Sequence, residues 1–116
     1  MQEVDWIEGG KLVWSAHENF PDVRLGWLMR PSARGAPVSC ALVQIPDGAN
    51  VPEHVHAGED DILYVLHGSA RMAIEGAGEM TLTAGDFLRI PAGSRHRPYG
   101  FAGDFLAFNV WATNAA

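Results

Sequence analysis

Turn-forming residues cut this chain into pieces too short for packed helices. Thirteen glycines and seven prolines fall among its 116 residues, and most stand between apolar runs. The runs are KLVW at 11–14, VRLGWLM at 23–29, VSCALVQI at 38–45, ILYVL at 62–66, 70–75, 80–83, FLRI at 87–90 and DFLAFNVWAT at 104–113. Stretches of this length, rich in β-branched and aromatic residues and bounded by Gly, Pro and Asp, are antiparallel strands joined by tight turns. No apolar repeat of helical period is sustained. The spacing therefore predicts an all-β chain closed into an antiparallel barrel.

The run ILYVL is apolar on both alternating faces, whereas a strand with one wet face alternates with polar residues. Its outer side is expected to be covered, and so is that of the closing strand. Together with Trp6 and Trp14 in the N-terminal segment, this predicts a homodimer, with residues 1–23 as a strand extension at the contact.

The length suits one domain, 1–116. Eight basic against fourteen acidic residues give a net charge of -6, which offers no attraction to a phosphate backbone, so no nucleic-acid partner is expected. Cys40 is the only cysteine, which excludes an intramolecular disulfide; it reads as a small apolar core residue, and nothing beside it suggests an activated thiol. The start MQEVDWIEGG has no basic, apolar leader, and no run approaches the roughly eighteen apolar residues of a membrane span. No membrane contact is expected, and the expected compartment is the cytoplasm.

The chemistry concentrates in GANVPEHVHAGEDDILYVLHG, Gly48 to Gly68. His54 and His56 are one residue apart, so an extended chain sends both imidazoles to one face. Ala57-Gly58 then permits a bend that returns Glu59, Asp60 or Asp61 beside the rings. Two imidazoles and a carboxylate suit a divalent ion such as iron, manganese, cobalt, nickel, copper or zinc. The plainer alternative is a pair of solvated loop histidines. A second stretch, GDFLRIPAGSRH from Gly85, ends in His96. His17 and His67 have no spaced partner: the first reads as an ordinary surface or packing residue, the second as a strand-end residue that binds no metal. Gly76 and Gly78 belong to a hairpin and not to a phosphate loop.

Taken together, the two stretches resemble the cupin family. Gly48, His54, His56, Asp61 and Gly68 fall on its first motif, and Gly85, Pro91, Gly93 and His96 on its second. The resemblance implies a small β-barrel or jelly roll (double-stranded β-helix) holding one metal, Fe, Mn, Ni or Zn, by three histidines and a carboxylate. The chain departs from the pattern twice. Asp61 stands where the family usually has glutamate, with Glu59 and Asp60 as rivals, and Gly100 stands where it has asparagine. The resemblance further implies action on a small organic molecule, foremost as a dioxygenase. Its alternatives are a non-redox isomerase, cyclase or lyase on a hydroxy-carbonyl or sugar-acid substrate, or a binding module without catalysis. Glu59, Asp60, Tyr64 and Arg89 are the candidate acid/base groups. Leu42, Leu63, Tyr64, Met72, Phe87, Phe108 and Trp111 are the expected cavity walls, with Trp6 and Trp14 near the mouth or the dimer contact.

Overall fold

Seven strands account for the regular structure of the computed structural model, which describes residues 4–31 and 36–114. They are β1 (Trp14–Ala16), β2 (Arg24–Met29), β3 (Val38–Ile45), β4 (Glu59–Ile74), β5 (Gly78–Thr83), β6 (Phe87–Ile90) and β7 (His96–Thr113). All pair antiparallel, in the order β1-β2-β3-β7-β4-β5, with β6 also on β4. The described residues form no helix, so none is long and apolar enough to cross a membrane.

Two glycine-bearing stretches that separate apolar runs in the sequence prove to be bends inside strands. His67-Gly68-Ser69 does not separate two strands; β4 continues through it, and β7 continues through Pro98-Tyr99-Gly100. The reason is that β4 and β7 pair with each other along most of their length and bend together. Their register shifts between Val65 and Arg71, where Gly68 has φ 74°. A Cβ there would lie 2.6 Å from the Ala102 carbonyl oxygen and 2.9 Å from the Phe105 Cα, so the two backbones can touch only because position 68 has no side chain. On β7 the bend falls at Gly103 (φ 70°) and Asp104 (φ 57°), where Asp47 Oδ1 accepts a hydrogen bond from the Asp104 amide. Beyond it, β4 leaves one set of neighbours, β6 and the C-terminal part of β7, for β5 and the N-terminal part of β7.

Alternation then sorts the side chains. Ala41, Val43 and Ile45 on β3, Leu63 and Val65 on β4, and Phe105 and Ala107 on β7 are buried in one core with Met72, Leu82, Ile90 and Phe101. The opposite parity carries Leu42, Phe108, Tyr64 and Phe87, which are register partners across β3, β7, β4 and β6. Tyr64 is 45% exposed and Phe87 66%. The outer face of ILYVL is therefore not covered by the described residues of its own chain. Cys40 shares that outward parity and is half-buried, not in the core; burial pushes its thiol up.

Candidate metal centre

His54 lies in an otherwise irregular segment, and one isolated bridge fixes it. Its amide donates to the His96 carbonyl and the His96 amide donates back, both at 2.9 Å. That exchange sets the two residues opposite each other on one face, with ring centroids 4.3 Å apart. His56 is tied in through its carbonyl, which accepts from the Gly93 amide at 2.9 Å. The Pro-Ala-Gly turn of the second motif thus holds the first motif in place. Asp61 comes from β4, whose inward parity it shares with Leu63 and Val65.

Three of the four donors are oriented by hydrogen bonds. His54 Nδ1 donates to the Pro52 carbonyl at 2.9 Å, and His96 Nδ1 to the Ser94 carbonyl at 3.0 Å. Because a carbonyl only accepts, the neutral rings carry hydrogen on Nδ1 and leave Nε2 as a lone pair. Asp61 Oδ1 accepts from Asn109 Nδ2 at 3.0 Å. Its Oδ2 then lies 3.6 Å from His56 Nε2 and 3.4 Å from His96 Nε2. One ligand atom from each of the four residues falls within 4.8 Å of the others.

The residues fit a divalent cation. His96 is 2% exposed, and among the described residues its Nε2 has no hydrogen-bond partner, only the Asp61 carboxylate at 3.4 Å, a costly arrangement unless something fills it. The filler must accept three imidazole lone pairs and one carboxylate oxygen together, as a transition metal does. Electrostatics agree. Burial holds His54 below its ordinary pKa, with the neighbouring His96 and His56 adding to the effect. Burial also lowers His96, but the Asp61 carboxylate and the Ser94 carbonyl outweigh it and leave His96 above its ordinary value. A proton at His96 is stabilised where a cation would be.

The centre opens onto a cavity of about 580 Å³. Of the expected walls, Leu63, Met72 and Trp111 line it, joined by Val43, Phe101 and Trp27. Leu42, Tyr64, Phe87 and Phe108 do not, because they lie on the outward parity of their strands. Trp6, 83% exposed, and Trp14 also lie outside the lining. Among the acid/base candidates only Glu59, two residues before Asp61 and on the same face, lines the cavity. Asp60 faces the other way. It accepts from Arg89 Nε, the Ala92 amide and Asn114 Nδ2, each at 2.9 Å, and these hydrogen bonds, Asn114 first, hold its carboxyl below the usual range. Arg89, 48% exposed at its side chain, and Tyr64 share that outer side. His67 is exposed, bonded through Nδ1 to the Asp104 carbonyl, and outside the cluster.

Two contributors escaped the sequence reading. Asn109 is a lone amide at inward parity in the apolar run of β7, between buried Ala107 and half-buried Trp111, and that polar interruption was the available signal. His17, read as an ordinary surface or packing residue, lines the cavity. Its ring stacks on Phe20 at 4.7 Å, and Phe20 in turn meets His54 at 5.2 Å. Burial holds its pKa below the ordinary value; Glu18 opposes this and His56 adds to it. Nothing local in the sequence marks it, since it reaches the centre only through the β1–β2 hairpin.

Comparison with known proteins agrees with this architecture. The structure is similar to KdgF from Halomonas sp., with a TM-score of 0.76 and 20% identity, covering 92% of this chain and 93% of that one. A predicted oxalate decarboxylase from Thermotoga maritima gives 0.79 and 20%, covering 94% and 99%. The DMSP lyase DddQ from Ruegeria pomeroyi gives 0.72 and 21%, covering 90% and 57%. Identities this low establish a shared fold alone. No curated protein matches the sequence significantly. The Cupin domain family profile matches residues 41–111, more than half of the chain and both histidine stretches, and the protein belongs to that family.

Proposed function

We propose that the protein is a metal-dependent enzyme acting on a small oxygen-bearing organic molecule by non-oxidative chemistry, as a lyase or isomerase does. The observation that carries this reading is the opening of the four donor atoms onto a largely apolar cavity, where a closed structural site would be wrapped by protein. His54, His56, His96 and Asp61 would hold the ion. Four protein ligands leave coordination positions for substrate, and the bound metal supplies Lewis-acid polarisation of a carbonyl, carboxylate or hydroxyl oxygen.

The chain's own residues do the rest. Val43, Leu63, Met72 and Phe101 exclude water and strengthen every charge interaction at the centre. Glu59 is a cavity carboxylate outside the ligand cluster, on the same face of β4 as Asp61, and it can take a proton from a substrate carbon or oxygen or return one. Asp60, Tyr64 and Arg89 have no part in this reading. The names of two similar structures, a lyase and a predicted decarboxylase, specify bond cleavage and support the non-oxidative branch.

The dioxygenase expected from the sequence is the second reading, because open coordination positions facing apolar walls also suit dioxygen. Elemental analysis of the purified protein, followed by an oxygen electrode and a panel of hydroxy-carbonyl, uronate and diketone compounds, separates them. Turnover without oxygen uptake, abolished in His56→Ala, is the expected result. Oxygen uptake tied to turnover selects the dioxygenase, and turnover that survives loss of the metal overturns both.

A further inference from the structure

The loop between β1 and β2 curls around His17, and the hydrogen bonds there determine which ring nitrogen faces away. His17 Nδ1 accepts from the Asn19 amide at 3.0 Å and from the Phe20 amide at 3.3 Å. A backbone amide can only donate, so Nδ1 must be the unprotonated nitrogen and the neutral ring carries its hydrogen on Nε2. This is the opposite tautomer to His54 and His96, whose Nδ1 atoms face carbonyls. A nitrogen that bears hydrogen has no lone pair for a metal, and His17 stands outside the ligand cluster. Its ring nevertheless lines the same cavity, held by Phe20, which bridges it to His54. The far edge of the ring therefore offers the cavity a fixed neutral donor.

We propose that His17 is a substrate-binding residue: its Nε2–H donates to an oxygen of the cavity ligand, selecting molecules that keep a carboxylate or carbonyl acceptor beyond the metal-bound atom. This rests on the metal-centred reading of the cavity. A cation at this position would also attract an oxyanion, but a lysine or arginine would compete with the metal electrostatically. A neutral donor locked by two amides orients the ligand without that repulsion and without reorganising.

The test uses the cobalt(II)-loaded full chain with oxalate as the probe, since oxalate can chelate through two oxygens and leave two as acceptors. Two variants separate donor from loop staple. His17→Asn keeps a side-chain oxygen able to accept from amides two and three residues on, and loses the distal donor. His17→Phe keeps the ring stack and loses both nitrogens. Three quantities are measured for each: cobalt affinity, oxalate affinity from the cobalt absorption bands, and Tm. In the metal-free parent, ¹⁵N spectra of the His17 ring should give the Nε2–H tautomer. Oxalate affinity should fall about tenfold in both variants, with cobalt affinity unchanged and Tm lowered mainly in His17→Phe. Oxalate binding to His17→Asn as tightly as to the parent would overturn the inference and leave a loop staple. An Nδ1–H tautomer would overturn it independently of any metal. Failure of the parent to bind cobalt would instead defeat the metal-centred reading, and the ¹⁵N result would still report on the tautomer.

Discussion

Asp61 is one methylene shorter than the glutamate usual at its motif position, and Asn109 settles where that shorter arm ends. With Oδ1 held by the amide, Oδ2 is left for the cation. Asn109→Ala should weaken metal binding about 10- to 100-fold with little change in fold, read by competition against a chromogenic chelator. Asp61→Asn should weaken it at least as much, while Asp60→Asn and Glu59→Gln should leave it near the parental value. The pH dependence has a definite sign. The raised pKa of His96 stabilises the metal-free fold fully below its unfolded value of about 6.5, and that contribution is lost as pH rises through the higher folded value. Metal needs the neutral ring, so the rise in Tm on adding metal should grow as pH goes from about 5.5 to 8, with the steepest change above 6.5. His54, held low, competes only below that point. A metal-induced shift that is flat over the same range would count against His96 as a ligand. The four ligand positions were legible because the motif spacings are local. Among the three consecutive acids the interval to Gly68 pointed to Asp61; the inward parity of β4, set by pairing with β6 and β7, turns Asp60 away, and only the folded position leaves Glu59 outside the cluster. Asn109 enters from β7 and His17 from the loop after β1, both far away in sequence.

The bend shared by β4 and β7 places the centre, because it lets one pair of strands carry Asp61 at one end and His96 at the other. Gly68→Ala should therefore be costly. It sets a Cβ against two carbonyl oxygens at 2.6 and 2.8 Å and forces φ 74° on an L-residue. A loss on the order of 2 kcal/mol or more is expected, lowering Tm by roughly 8 °C or more. Gly78→Ala is the control. Its φ of 84° carries the same backbone penalty, but nothing lies within 4 Å, so about 1 kcal/mol is expected. Thermal melts that rank the two alike would mean that the close approach at Gly68 relaxes at no cost. The strands themselves were legible from alternation and turn residues. Their continuity was not: Gly68 and Gly100 are as much turn signals as Gly48, and only the long β4–β7 pairing converts them into bends.

The outward row of Leu42, Phe108, Tyr64 and Phe87 crosses four strands, and the described residues of the chain leave its Tyr64–Phe87 end open. At the β2 end a different solution is visible. Leu12 lies so close to Gly26 that a Cβ there would sit 2.6 Å from its side chain, so the N-terminal segment already covers part of the sheet. The same segment exposes Val4 at 88%, Trp6 at 83% and Val13 at 78%. One chain thus carries both an open apolar face and an apolar arm that its described residues leave exposed. We propose that a second copy joins the two, arm on face in both directions, because a two-fold axis satisfies both surfaces at once and closes the assembly. Sedimentation at micromolar concentration should give a dimer. Phe87→Glu combined with Tyr64→Glu should give a monomer that binds metal with unchanged affinity, since that row lies on the opposite side of the sheet from the centre. Removing residues 1–9 should shift the equilibrium the same way. A parent that sediments as a monomer would reject the arrangement, and loss of metal in the double variant would mean that the outer face supports the centre as well as the contact.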